Sequence, residues 1–210
     1  MQRRIIILTG RREAPFFEQF LLERNPHLTV VAAHDLDDLR SAIDRFYGDA
    51  RLISFLTDTI VPPELLSRLR VTPYNIHPGP PEYPGAHPES FAIWENAQIF
   101  GVTAHEMTAR VDDGPIVAVH RFPAPPKAER MELADLTYTS AVKVFAIVAA
   151  HCAETDDPMP QMEEQWAVTK RTRKQFQALC KMPAHESSDE AARLWRACGS
   201  DFSRHVDAQA

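Results

Sequence analysis

The stretch Asn75-Ile76-His77-Pro78-Gly79-Pro80-Pro81-Glu82-Tyr83-Pro84-Gly85 sets an amide and an imidazole two residues apart, ahead of a proline loop. On an extended backbone, residues i and i+2 share a face, so Asn75 and His77 point one way and Ile76 the other, into the core. The prolines leave the loop few unfolded-state conformers to lose, which suits a rigid, small polar site. A second segment, Val111-Asp112-Asp113-Gly114-Pro115, reads as a tight turn presenting carboxylates at a strand end, with His105 on the strand before it. One Asn, one His and one Asp are chemically sufficient for acyl transfer to an amine. The Asn75 amide and a His77 N–H can meet the oxyanion of a tetrahedral intermediate. A carboxylate with a nearby water can shuttle the protons that the attacking and leaving nitrogens lose and gain. No Ser or Cys stands in a recognisable nucleophile elbow.

The elements around these residues alternate. Ile5 to Leu8, Leu28 to Ala33, Leu52 to Leu56 and Val71 to Ile76 read as four buried strands, the first closed by Thr9-Gly10. Phe16 to Leu22 has helical spacing, as do Leu36, Leu39, Ile43 and Phe46 behind a capping Asp35, and Pro62-Pro63 starts a third helix. Strand–helix alternation implies a Rossmann-like, mostly parallel α/β sheet covered by helices on both faces. The Asn/His pair falls just past the fourth strand, on the edge where open parallel sheets bind ligands. Beyond it, Glu89 to Asn96 reads as helix, and Gly101 to Met107 and Ile116 to Arg121 as two strands forming an antiparallel extension. Leu133 to Cys152 is the longest helical pattern. We divide the chain into a catalytic domain over 1–155 and a short extension over 156–210, with small helices at Lys174 to Leu179 and Ser188 to Cys198 and a frayed end from Phe202.

Bulk properties exclude several classes. With 210 residues, 44% of them hydrophobic, the chain can bury a sizeable core, and a net charge of −6 gives no footprint for nucleic acid. Only 7 glycines argue against a glycine-rich phosphate loop. Cys152, Cys180 and Cys198 are far apart and form no CxxC pair, which points to a reducing compartment rather than a disulfide scaffold. The apolar run behind Met1 is too short for a secretory signal, and no stretch approaches the ~20 apolar residues of a membrane span, so a cytoplasmic protein is expected.

Asn-x-His-Pro, a proline loop ending in Tyr-x-Gly, and then Asp112-Asp113-Gly114-Pro115 together resemble the formyltransferase family that uses 10-formyltetrahydrofolate. Glycinamide ribonucleotide transformylase, methionyl-tRNA formyltransferase, sugar-amine formyltransferases and formyltetrahydrofolate hydrolase belong to it. The resemblance runs from about Leu52 to Val119 and implies a formyltransferase fold with a shortened N-terminal half. It implies Asn75, His77 and Asp112 as the catalytic set, Asp112 rather than Asp113 because the family's turn reads Leu-Asp-x-Gly-Pro. It implies a pterin site formed largely by backbone of Thr59-Ile60-Val61 and Thr108-Ala109-Arg110, with Ile60 and Val61 against the flat ring. The loop after His77 departs from the family's commoner Ser-Leu-Leu-Pro. Thr9-Gly10-Arg11-Arg12-Glu13 lacks the Gly/Ser-rich cradle of the glycinamide ribonucleotide enzymes, and no counterpart of the tRNA enzymes' basic C-terminal domain is recognised.

For the acceptor side, His87 lies close after the loop and Arg11 could meet a phosphate. His77, His87, His105 and Asp112 include ligand types for a metal but lack a short helical spacing such as HExxH, so no metal is expected. The basic run Lys170-Arg171-Thr172-Arg173-Lys174 reads as a solvated face. The leading function is formyl transfer from 10-formyltetrahydrofolate to an amine on a small molecule such as an amino sugar. The alternatives are formyltetrahydrofolate hydrolysis, a methionyl-tRNA formyltransferase-like role, with tRNA the less favoured acceptor, and a non-catalytic folate-binding protein.

Overall fold

Ile5, Ile6, Ile7 and Leu8 are all buried, so successive side chains of β1 (Arg4–Leu8) meet apolar layers on both faces of the sheet. The computed structural model describes residues 3–182 and 188–202. Six strands lie in the order β2-β1-β3-β4-β5-β6. β2 (Thr29–Ala33), β1, β3 (Arg51–Phe55) and β4 (Tyr74–His77) run parallel. β5 (Ile99–Glu106) and β6 (Ile116–Pro123) add the antiparallel extension. The expected α/β sheet is therefore present, with two differences. β2 is not a buried strand: it is the sheet's edge, and Thr29 to Ala32 are half-buried because one side has no neighbour. β4 starts at Tyr74 rather than Val71, after Pro73, which has no N–H to give a ladder. It then runs on through His77, so Asn75 and His77 sit within the ladder, opposite His105 and Thr103.

Helices cover both faces. α1 (Ala14–Arg24) and α5 (Arg130–Glu154) pack on one face, joining Phe17, Leu21, Val144, Phe145 and Val148 to Ile5, Ile7, Ile53, Phe55 and Ile76. The Phe17 and Phe145 rings stack at 3.8 Å, and Phe55 meets both edge-on, at 4.6 and 5.8 Å. α2 (Leu36–Arg45) and the single turn α3 (Pro63–Leu66) cover the other face, over Ile6, Leu8 and Leu52. Asp35 caps α2 as expected, its side chain accepting the Asp37 and Asp38 N–H groups. α4 (Pro88–Trp94), α6 (Arg173–Leu179) and α7 (Asp189–Cys198) share a third apolar cluster with Phe100 and Leu133. α5 has the length and a mean hydropathy (1.4) sufficient for a membrane span, a stretch the sequence reading did not expect. Its buried face, including Leu133, Val144, Phe145 and Val148, is packed against the sheet and α4 instead. Residues 203–210, expected to fray, lie outside the described residues.

The chain after α5 returns to the sheet. Arg51, 1% exposed, donates from its guanidinium to the carbonyls of Thr72 and Asp157, both at 3.1 Å, and lies over the Tyr74 ring. The Tyr74 hydroxyl accepts the Met159 N–H at 2.7 Å. A cation without a carboxylate partner among the described residues is thus stabilised by two carbonyl dipoles and an aromatic face. These bonds fasten the start of the segment on the α5-covered side of the sheet. Further along it, Met162 N–H donates to Ile116, Ala167 N–H to Pro81 and Arg171 N–H to Pro84.

Candidate active site

Asn75 and His77 project from β4 to the same side, as the period of two requires. β5 brings His105 beside Asn75 on that side, and a register shift between Ala104 and His105 lies at this point of the strand. The turn after β5 supplies Asp112 in the left-handed region, φ 46, which Asp tolerates better than most residues. Of the two adjacent carboxylates, Asp112 is 2% exposed, whereas Asp113 pairs with Lys170 Nζ at the surface, 2.7 Å away.

Asp112 binds the other residues together. Oδ2 lies 3.3 Å from His77 Nδ1 and accepts the Gly85 N–H at 2.8 Å, and Oδ1 lies 3.4 Å from His105 Nε2. His77 Nε2 donates to the Tyr83 carbonyl at 2.9 Å, and His105 Nδ1 donates to the Glu106 carbonyl at 2.8 Å. The same His105 Nε2 lies 3.1 Å from the Asn75 amide nitrogen. Gly79 packs so close to His77 that a Cβ there would sit 2.7 Å from Nε2. His77, His105 and Asp112 are buried, and Asn75 alone of the four is partly open to solvent.

Burial by itself would raise the Asp112 carboxyl, but His77, His105 and the Gly85 amide outweigh it and hold the pKa at about 2. Burial lowers the His77 pKa, with Asp112 and the Tyr83 carbonyl opposing. The pair therefore sets an ionised carboxylate against an imidazole whose burial disfavours its charged form. Since His77 Nε2 is engaged by Tyr83, the donor edge open to an incoming oxyanion is the Asn75 amide rather than both side chains, as the sequence reading had it.

The other expected residues are placed as follows. The loop after β3 carries Thr59, whose N–H is bonded to Thr57 Oγ1, and Ile60, 65% exposed. Val61 points into the core under α2 and α3 and offers no side chain to a ligand. Thr108, Ala109 and Arg110 are exposed, with Thr108 Oγ1 bonded to the Arg110 carbonyl, and Met107 just before them packs on the cluster that holds Val61. Arg11 is exposed in the turn after β1. His87, at φ 55, stacks on Phe176 at 3.9 Å and lines a cleft of about 350 Å³ with Arg173, Gln177 and Lys181. Neither Arg11 nor His87 touches the Asp112 cluster. Three members of the basic run are paired: Lys170 with Asp113, Arg171 with Glu95, and Arg173 with Asp58. Among the described residues no group of three or more His, Cys, Asp or Glu could hold a metal ion.

A family model described as formyl transferase matches residues 30–148, which include all four clustered residues. This chain belongs to the formyl transferase family. No curated protein matches it. Solved structures do. A sugar N-formyltransferase from a Shewanella species superposes with a TM-score of 0.77 at 18% identity, over 94% of this chain and 89% of that one. An N-formyltransferase from Helicobacter canadensis, in complex with folinic acid and dTDP-3-aminofucose, gives 0.69 at 15% identity, over 94% and 80%. HypX from Aquifex aeolicus, in complex with tetrahydrofolic acid, gives 0.64 at 23% identity, over 95% of this chain and 35% of that one. At these identities the likeness is one of fold, and it spans the segment after α5 as well as the sheet.

Two contributors had little or no mark in the sequence. His105 was one candidate among nine histidines, and only strand pairing sets it beside Asn75. Trp166 lies in a polar stretch far from either motif, yet its ring meets His77 at 5.5 Å and His105 at 5.1 Å.

Proposed function

We propose that this chain transfers the formyl group of 10-formyltetrahydrofolate to a primary amine on a small molecule, with a nucleotide-linked amino sugar as the favoured acceptor and tRNA the less favoured one. The observation that carries this reading is the buried Asp112 carboxylate, held between two imidazoles, with the partly exposed Asn75 amide alongside. Acyl transfer to nitrogen needs a fixed oxyanion donor and a proton relay, and little else.

In this reading the donor lies against the exposed Ile60 side chain and the exposed residues 108–110, segments that are linked where Met107 packs on the cluster holding Val61. Bound there, it supplies the formyl carbon. Asn75 donates its free amide hydrogen to the formyl oxygen as the acceptor amine forms the new C–N bond and that oxygen takes the electron pair. Asp112, through His77, takes the proton the attacking nitrogen loses. The same relay returns a proton to the leaving nitrogen as its bond to the formyl carbon breaks, so no net proton is consumed within the site. In this reading Arg11, exposed after β1, meets an acceptor phosphate, and His87, beside the cleft with Arg173 and Lys181, contacts the acceptor. Support for an amino-sugar acceptor comes from the fold shared with the Helicobacter canadensis enzyme, crystallised with dTDP-3-aminofucose.

The test is tetrahydrofolate release from 10-formyltetrahydrofolate, followed spectroscopically with a panel of nucleotide-linked amino sugars, amino-acid amines and charged initiator tRNA. Release that depends on an amino sugar is the expected result. Release without acceptor, lost in Asp112→Asn, would make the protein a hydrolase. Folate binding with no release under any condition would overturn catalysis altogether.

A further inference from the structure

His77, His105 and Asp112 are sealed, with side chains only 4%, 3% and 3% exposed. The sheet lies beneath them and the proline loop beside them, and the segment after α5 passes over them. From that segment one side chain reaches both imidazoles. We propose that Trp166 is a positioning residue for the formyl-transfer site: its indole wedges against His77 and His105 together, fixes both rings against Asp112 and keeps water off the carboxylate.

The indole stands nearly perpendicular to both rings, at 79° to His77 and 89° to His105. Edge-to-face aromatic contacts prefer this geometry, and two at once fix the ring's tilt as well as its distance. Its Nε1–H donates to the Gly114 carbonyl at 2.9 Å, two residues past Asp112, so the indole is anchored to the turn that carries the carboxylate. The backbone that presents it is tied down on either side. Met162 N–H bonds Ile116 at 2.7 Å, at the start of β6, and Ala167 N–H bonds Pro81 at 2.9 Å, in the loop after His77. Lys170 Nζ bonds the Val111 carbonyl at 2.8 Å and Asp113 at 2.7 Å. Trp166 is therefore held by the turn that carries Asp112, by the loop after His77 and by the start of β6.

Its consequence is electrostatic. The titratable groups facing His77 are Asp112 from the turn and His105 from β5. In a dry site the carboxylate's attraction and the cost of burying a charged imidazole are both large, and small changes in water access alter their balance. Burial is the dominant influence on His77, and the indole is part of that burial. Trp166 thereby influences when the relay carries its proton, without touching either substrate.

This inference rests on the formyl-transfer reading for its rate effect but not for its effect on the imidazoles, so the test has two arms. In the first, imidazole resonances of ligand-free wild type, Trp166→Phe and Trp166→Ala are titrated by NMR. Trp166→Ala should move the His77 midpoint up towards 6.5 as water enters, with Trp166→Phe between. In the second, kcat and KM are measured against pH. Trp166→Ala should lose about ten- to hundred-fold in kcat, with little change in KM for the donor and with the acid limb displaced in the same sense as the titration. Should Trp166→Ala not fold, Trp166→Phe carries both arms, since it keeps a ring but loses the Gly114 anchor. Unchanged His77 titration and unchanged kcat in a folded variant would overturn the proposal. A wild type that transfers no formyl group would sink the functional reading alone, and the titration arm would then decide the positioning role.

Discussion

The Gly85 backbone N–H donates to Asp112 Oδ2 at 2.8 Å, which joins the end of the proline loop to the turn after β5 across 27 residues of chain. Gly85 can do this because its φ of 100° is open to glycine and strained for other residues, and because a Cβ would run into the Arg171 carbonyl. Ala86 N–H bonds that same carbonyl at 2.9 Å. One glycine thus meets the Asp112 carboxylate on one side and the segment after α5 on the other. Gly85→Ala should destabilise the fold by about 1–3 kcal/mol and depress turnover beyond that, because the carboxylate loses its backbone donor. Thermal unfolding alongside steady-state kinetics checks both.

Asn75→Ala removes the one exposed oxyanion donor and should lower kcat by about a hundred- to a thousand-fold while folate binding survives. Asp112→Asn keeps an acceptor for Gly85 N–H but removes the base, and should cost about 10²–10⁴ in kcat. If the two act in one step, the double variant will fall well short of the product of the single losses. Equal retention of activity in either variant would contradict the assigned roles.

Glu89, in the first turn of α4, has its pKa raised to about 7 by burial, which its own backbone N–H and Arg130 only partly oppose. Between pH 4.5, its ordinary value, and about 7 the folded state binds more protons at this group than the unfolded chain. Stability from Glu89 is therefore full below pH 4.5 and declines as pH rises through that window. Glu89→Gln should stabilise the protein at pH 8 by up to about 3 kcal/mol and have no such effect at pH 4. Urea denaturation of both proteins at the two pH values reads the difference.

Phe145 anchors the stack with Phe17 and the edge contact with Phe55, joining α5 to α1 and β3. Phe145→Ala should cost about 3–5 kcal/mol through lost burial and the cavity left behind. Because it lies on the face opposite Asn75 and His77, kcat at a temperature where the variant is folded should stay close to wild type. A large kcat loss there would mean that the two faces are coupled.

Alternating apolar runs were enough to specify a mostly parallel sheet with an antiparallel extension, because burial on both faces leaves a continuous hydrophobic signature. The Asn-x-His spacing was enough to put both side chains on one face, because the strand period is local. Strand ends were less legible: Pro73 shortens β4 at its start, and ladder pairing with β5 extends it through His77. The edge position of β2 depends on which strands become neighbours, which its own residues do not encode.

The residues of the site divide in the same way. Asn75, His77 and a turn carboxylate were recognisable by type, spacing and turn chemistry, Asp112 was preferred to Asp113 from the family resemblance, and the sequence by itself determined that such residue types could carry acyl transfer. Only the tertiary structure decided that His105 lies opposite Asn75, that Val61 points into the core, and that Trp166 closes over both imidazoles. The physical reason is range. Strand period and turn conformation act over a few residues, whereas strand pairing and the return of the chain after α5 bring together distant groups, such as His77 and Trp166, 89 residues apart, through packing that no local pattern records.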